Sequence, residues 1–331
     1  MSGAPILRPL NLDANRRAAV LLVNPFAGGV RQPTVERIVH RLGLEGAAIL
    51  EVGRDGSAQA LAARAVNDRV TLLLVAGGDG TLHQVIQSLA GTGTVLGVLP
   101  LGTSNDLARR LGMATALDRA LEEIATAETG SIDLLRMGHH WVATVGGLGL
   151  PAEVARTCNR LKARPLIGWP ARSLGRTIYA LAAAQRILRH GPEPVTCHIA
   201  VGGEDATPNQ VSALLVGTVD RFGGGLELVP RSQLRAGTFA ALMVTATTRP
   251  TILDTLLRVR AGRPLRRYAR RVTHLTSLTF RADHLVPTFG DGEWLGLQHR
   301  MTIRIAPAAL RVLMPACHGT VLAARRFGTA V

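Results

Sequence analysis

Apolar residues in the first third of the chain come in short continuous runs, each cut off by glycine, proline or asparagine and followed by a stretch of helical spacing. The runs cover residues 18–24, 47–52, 70–76 and 94–99, and the stretches between them, 34–42, 57–67 and 81–89, read as helices. A shorter helix is expected over 107–111. Continuous apolar strands alternating with helices predict an α/β domain with a parallel sheet covered on both faces. Ligands on such sheets bind beyond the carboxyl ends of the strands.

The texture changes after about Ile132, where strand-like runs are separated by turn residues: 132–137, 141–145, 195–201, 211–219, 239–245, 272–280 and 301–305. They predict a second, mainly antiparallel β-sandwich domain. Helical insertions are expected over 170–188 and 250–259. The division is therefore an α/β domain over 1–131 and a β-rich domain over 132–314, with the tail 315–331 able to return to the first domain. No internal repeat or low-complexity linker interrupts the chain.

Composition narrows the chemistry. Of 331 residues 47% are hydrophobic and 18% charged, enough apolar surface to offset chain ordering, so the chain folds. The formal charge is +15, which favours phosphate-bearing partners. Nearly all of it is arginine, the sole lysine being Lys162. A Walker A loop and a protein-kinase third strand each need a lysine in a defined context that Lys162 lacks. Any phosphoryl transfer must use another phosphate cradle. The first 17 residues hold no apolar core of signal-peptide length, and no window is apolar enough to span a bilayer. Cys158, Cys197 and Cys317 are odd in number and scattered, as buried reduced thiols of a cytoplasmic protein would be.

Three loops at predicted strand ends carry polar and glycine residues: Asn24-Pro25-Phe26-Ala27-Gly28-Gly29, Gly77-Gly78-Asp79-Gly80-Thr81 and Pro100-Leu101-Gly102-Thr103-Ser104-Asn105-Asp106. Glycine allows close backbone approach and positive φ, and the amides at a following helix start favour phosphate. Asp79 lies between glycines after a buried strand, a poor choice for packing because its charge must be solvated or paired. It suits Mg²⁺ binding or acceptance of a proton from an attacking hydroxyl. Capping would explain Asp106, a turn Asp133, and a hairpin Asp291-Gly292.

Together these motifs resemble the catalytic domain of diacylglycerol kinases, sphingosine and ceramide kinases and related bacterial lipid kinases. The resemblance starts at Asn24-Pro25, takes in 77–81, 99–109, Ser131-Ile132-Asp133 and Gly223-Gly224-Gly225 with Pro230, and ends at Asp291-Gly292-Glu293. It implies a nucleotide-binding α/β domain joined to a β-sandwich, with the active site between them. It further implies ATP and Mg²⁺, and transfer of the γ-phosphate to a hydroxyl of diacylglycerol, ceramide or another sphingolipid. Asn24, Pro25, Gly28, Gly77, Gly78, Gly80, Thr81, Thr103 and Asn105 would meet the nucleotide. Asp79 and Glu293 would be catalytic, Asp79 and Asp106 would hold the metal, and Asp106 and Asp133 would face the lipid headgroup. A soluble kinase of NAD-kinase type and an inactive lipid or nucleotide sensor are the alternatives.

Three positions depart from the family pattern. Residues 235–241 lack the aspartates that in bacterial members accompany a structural metal, Ser104 replaces a glycine, and Thr218-Val219-Asp220 replaces Asn-Gly. Two basic clusters mark the second half: Arg156, Arg160, Lys162, Arg164, Arg172 and Arg176, then Arg258, Arg260, Arg263, Arg266, Arg267, Arg270 and Arg271. The first runs into Leu174, Ile178, Tyr179, Leu181 and Ile187 at helical spacing, as in a helix on an anionic membrane surface. With aromatics at 3% the clusters lack the stacking platforms of nucleic-acid binders, so no nucleic-acid partner is expected. A cytoplasmic protein peripherally held at the inner membrane face is the resulting expectation.

Overall fold

The structure, a computed structural model, describes residues 19–27, 30, 32–163, 193–201, 207–223 and 225–316. Gly28, Arg164, Arg172, Arg176, Cys317 and the helix expected over 170–188 lie outside the described residues. The chain divides into two compact units, one running to Ile132 and resuming at Ala308, the other Asp133–Pro307.

The first unit contains β1 (Ala19–Val23), α1 (Gln32–Leu42), β2 (Ala48–Glu51), α2 (Ala58–Asn67), β3 (Leu72–Gly77), α3 (Asp79–Leu89), β4 (Val95–Pro100), α4 (Asp106–Arg110) and α5 (Leu117–Ala125). The strands are parallel in the order β2-β1-β3-β4, with Val20 opposite Ala48, Leu21 opposite Leu74 and Leu73 opposite Leu96. Every residue of β3 and β4 is buried, so both strands read as unbroken apolar runs. Ser57 starts α2 by accepting the Ala60 amide, at 3.2 Å. The start of α3 falls two residues earlier than expected, because extended Gly78 serves as its N-cap. The helix α5 was not anticipated.

The second unit begins within β5 (Glu128–Met137) and continues through β6 (His140–Val142), β7 (Val145–Gly149), α6 (Leu150–Ala163), β8 (Val195–Val201), β9 (Thr207–Val211) and β10 (Ala213–Gly217). There follow β11 (Arg221–Phe222), β12 (Leu226–Glu227), β13 (Phe239–Val244), α7 (Arg249–Ala261), β14 (Ala269–Leu275), β15 (Ser277–Gly290) and β16 (Glu293–Met314). Antiparallel pairing runs β14-β13-β10-β7-β15-β16, and β15 also pairs β8, as in a sandwich. The end of β16 belongs to the first unit, where Val312 pairs parallel with Leu96.

Strands β10 and β13 are wholly buried although antiparallel, because the period-2 alternation feeds two cores. Leu214, Val216, Ala241 and Met243 point into one, with Phe239 and Phe280. Ala213, Leu215, Leu242 and Val244 point into the other, with Ala152 and Ala155 of α6 and Ile252 and Val259 of α7. The run 211–219, expected as one strand, breaks at Ser212, whose amide and hydroxyl both donate to the Val244 carbonyl. The run 272–280 likewise divides between β14 and β15, next to His274 at φ +61°. Burial pushes the Cys197 thiol up to about 11, with help from Asp283.

Two ion-pair clusters brace this unit. The Arg271 guanidinium donates to Glu227 Oε1 at 3.1 Å and to the Leu228 carbonyl at 2.9 Å, and Arg221 reaches Glu227 Oε2 at 3.1 Å. Asp254 of α7 accepts from the Tyr268 hydroxyl and from Arg258 Nε, with Arg266 at 3.5 Å. The Tyr268 hydrogen bond, then Arg258 and Arg266, hold the Asp254 carboxyl below its usual range.

Replacing Arg271 by Leu leaves the buried Glu227 carboxylate with Arg221 as its remaining guanidinium partner and is expected to cost about 2 kcal/mol, measured by urea denaturation. For Asp254 the folded-state pKa is depressed, so its contribution is present above the unfolded value of about 4 and is lost as pH falls below it. The melting-temperature gap between wild type and Asp254→Asn should therefore close on acidification through pH ~4.

Candidate active site

The chain passes from β1 to β2 on one side and then to β3 on the other, so β1 and β3 flank a topological switch point, where open α/β sheets bind ligands. Their carboxyl ends are in register, Val23 beside Ala76, and Gly77 in turn pairs with Pro100 of β4. The three polar loops therefore leave neighbouring strands on one sheet edge.

Side chains knit the first two loops together. The Asn24 amide donates to Thr81 Oγ1 at 2.7 Å, and its Oδ1 accepts the Phe26 amide at 2.9 Å. The second and third loops meet backbone to backbone. A Cβ on Gly102 would lie 2.6 Å from Gly78 Cα and 2.8 Å from Asn105 Oδ1, and one on Gly77 would lie 2.9 Å from Thr81 Cβ. None of Gly77, Gly78, Gly80 or Gly102 has positive φ, so close approach is what these loops require of glycine. The positive φ belongs to Asn105, at +48°. The presence of Ser104 is for that reason no source of strain. Asn105 is buried, and its amide closes the loop on itself, accepting from the Gly102 amide at 3.0 Å and donating to the Gly102 carbonyl at 2.9 Å. Thr103 is exposed, and Gly80 lies in the first turn of α3.

Asp79 also lies in that first turn, where the helix dipole favours a carboxylate. Its Oδ1 accepts the backbone amide of Asp106 at 2.8 Å and, at 3.5 Å, that of Leu107. It thus caps α4, whose own N-cap residue Asn105 makes no capping bond. Asp106 is brought beside Asp79 by this contact, and its carboxylate lies 3.8 Å from Arg109. Two expected acids of the first unit are therefore adjacent.

In the second unit Asp133 accepts the Gly237 amide at 2.6 Å, tying down the loop that lacks the family's aspartates. Asp291 and Gly292 form the two-residue hairpin between Gly290 and Glu293, with φ of +51° and +83°. The Asp291 carboxylate accepts from the amides of Ala143 and Thr144 and from the Thr144 hydroxyl, the last two at 2.7 Å. Thr218, one of the atypical positions, donates to the Ala143 carbonyl at 3.1 Å and so joins this network. Glu293 follows directly, its Oε2 accepting from Asn159 of α6 at 2.9 Å. Neither Asn159 nor Thr144 was identified from sequence, where nothing in the local pattern marks them. Among the described residues no cluster of three or more His, Cys, Asp or Glu side chains is arranged to hold a metal ion, and no helix is long and apolar enough to cross a membrane.

The family profile described as "Diacylglycerol kinase catalytic domain" matches residues 18–137, and "YegS C-terminal NAD kinase beta sandwich-like domain" matches residues 145–314, about half of the chain. The chain belongs to the bacterial diacylglycerol and lipid kinase family. This kinase, a phosphotransferase, is 28% identical over 307 residues to a diacylglycerol kinase of Mycobacterium tuberculosis (strain CDC 1551 / Oshkosh), covering 89% of this chain and 94% of that one. A YegS-like lipid kinase of Xanthomonas axonopodis pv. citri (strain 306) is 33% identical over 195 residues, 55% of this chain and 59% of its own. The crystal structure of a diacylglycerol kinase from Bacillus anthracis str. Sterne matches with a TM-score of 0.67 at 18% identity, over 90% of this chain and 97% of that one, a likeness of fold.

The structural part of Asp79's work can be separated from any chemical part. In the kinase, Asp79→Ala removes the cap of α4 and is expected to lower stability by about 1 kcal/mol in urea unfolding. Asp79→Asn keeps an oxygen acceptor and should unfold within a few tenths of a kcal/mol of wild type.

Proposed function

We propose that the kinase transfers the γ-phosphoryl group of ATP, with Mg²⁺, to a hydroxyl of a membrane lipid. Diacylglycerol is the foremost acceptor, and ceramide or another sphingolipid the second. The observation that carries this reading is the convergence of three polar loops at the carboxyl ends of β1, β3 and β4, with Asp79 in the first turn of α3. The full-length similarity to a protein named diacylglycerol kinase supports the acceptor.

The donor set fits the two groups. Helix α3 opens on Gly78, which offers no side-chain cap, so its first-turn amides suit a phosphate without any lysine. Asn24 and Thr81, already bonded to each other, flank that turn, and Thr103 is exposed on the third loop. Mg²⁺ at kinase sites is held by one or two carboxylates and completed by phosphate oxygens and water, so Asp79 and Asp106 would hold it without a closed protein cage. When bound, the ion would neutralise charge building on the transferring phosphoryl group. The chain's own residues position the phosphates and the acids. Asp79 and Glu293 are the two groups able to take the acceptor's proton, and Asp133 is proposed to face the headgroup.

The test is turnover by purified protein with ATP-Mg²⁺ and mixed micelles of diacylglycerol or ceramide, and separately with NAD in solution, the product being identified by its added phosphate mass. A phosphorylated lipid is expected, with activity lost on chelation by EDTA. Asp79→Asn and Glu293→Gln should each lower kcat by about 10²–10⁴ while the proteins stay folded. Phosphorylation of NAD in place of lipid would mean a soluble-substrate kinase, and no turnover on any acceptor would mean a sensor. Full activity of Asp79→Asn would sink the assigned mechanism.

A further inference from the structure

One side of α7 packs into the protein through Ile252, Thr255 and Val259, all buried. The adjoining side carries Leu253, Leu256 and Leu257, which are 52%, 37% and 57% exposed. Residues three and four apart share a helix face, so these leucines form one stripe that continues into exposed Arg260. Surface helices normally put polar residues there, and an apolar stripe left in water marks a contact surface. The helix is not a frayed segment: Thr248 and Thr251 form a capping box at its start, and Gly262 in the left-handed region ends it.

The charge around the stripe says what covers it. From residue 245 to 275 the chain holds eight arginines and a single acid, Asp254. That acid is engaged by Tyr268, Arg258 and Arg266, and Arg271 is engaged by Glu227. Arg260, Arg263, Arg267 and Arg270 are exposed, with no acidic partner among the described residues. A bare leucine stripe with unneutralised guanidinium groups is complementary to an anionic bilayer surface: phosphates for the arginines and the acyl boundary for the leucines.

We propose that α7, with the arginine-rich segment that follows it, docks the second unit on anionic phospholipid, Leu253, Leu256 and Leu257 entering the interface. The proposal rests on the reading of the protein as a kinase of membrane lipids, since such an acceptor is reached at a bilayer.

The test is co-sedimentation without ATP, with vesicles of phosphatidylcholine plus phosphatidylglycerol and with vesicles of phosphatidylcholine alone. The wild type should sediment with the anionic vesicles. Leu253→Ser combined with Leu257→Ser should weaken that partitioning by about tenfold or more. Arg263→Gln combined with Arg267→Gln should weaken it by about fivefold per arginine, on anionic vesicles only. Thermal unfolding and turnover in mixed micelles should stay at wild-type values, because the altered side chains lie outside both the core and the proposed active site. The proposal is overturned by a wild type that does not bind anionic vesicles or by a leucine variant that binds like wild type. Conversion of a dimer to a monomer in analytical ultracentrifugation, with vesicle binding intact, overturns it in favour of a second copy as the occupant. A wild type that phosphorylates lipid in micelles yet does not bind anionic vesicles would fault this proposal alone. Vesicle binding without phosphorylation of any lipid would fault the functional reading alone.

Discussion

The approach of Gly78 to Gly102 governs the edge of the first unit at the carboxyl ends of its strands. Loops that leave adjacent parallel strands start about 4.8 Å apart and must either touch or splay. Here they touch, with no room for a Cβ on Gly102 and only a tight fit for one on Gly78. That contact brings the first turn of α3 beside the start of α4, and Asp79 then supplies from one helix the cap that the other lacks. A carboxylate held by backbone amides is fixed in direction before any ligand arrives, which is the condition for a preorganised site. The geometry that caps α4 is therefore also the one the proposed role of Asp79 requires.

The second unit solves the corresponding problem with a hairpin. Glu293 follows a two-residue turn, and turns of that length are compatible with several tilts of the strand ends. Asp291 removes the freedom by gathering three donors from Ala143 and Thr144, while Asn159 takes hold of Glu293 from α6. The sheet behind them is rigid because β10 and β13 are packed on both faces. The acid is thus set by elements far apart in sequence, α6, the link between β6 and β7 and the β15–β16 turn, that the fold brings together.

What could be read from the sequence follows from whether the cause is local. The strands β3 and β4 were legible because burial on both faces removes every polar residue from them. The loops were legible as glycine-rich, but the positive φ expected of them is absent at Gly77, Gly78, Gly80 and Gly102, and steric contact between two loops leaves no trace in the spacing of either. The helix α6 was missed because Arg156, Arg160 and Lys162 interrupt its apolar positions and a glycine-rich strand precedes it. The length of β15 and β16 was hidden by Arg281, Asp283, His299 and Arg300, exposed polar residues that interrupt the apolar runs. Pairs such as Asp79 with Asp106 and Asn159 with Glu293 join residues 27 and 134 positions apart, beyond any local pattern.

The arginine-for-lysine bias has a structural side that net charge conceals. Arg271 bonds a carboxylate and the carbonyls of Glu227 and Leu228 at once, which takes a planar fork of donors that an ammonium cannot supply. Arg258 spans Asp254 and the Pro264 carbonyl in the same way. Each of these arginines stiffens the segment after α7, and by consuming Asp254 and Glu227 it also leaves the neighbouring guanidinium groups without acidic partners. The basic surface in this region is thus produced by internal pairing of the acids as much as by the number of arginines, which is why guanidinium groups stay unneutralised in the segment that follows the exposed leucines of α7.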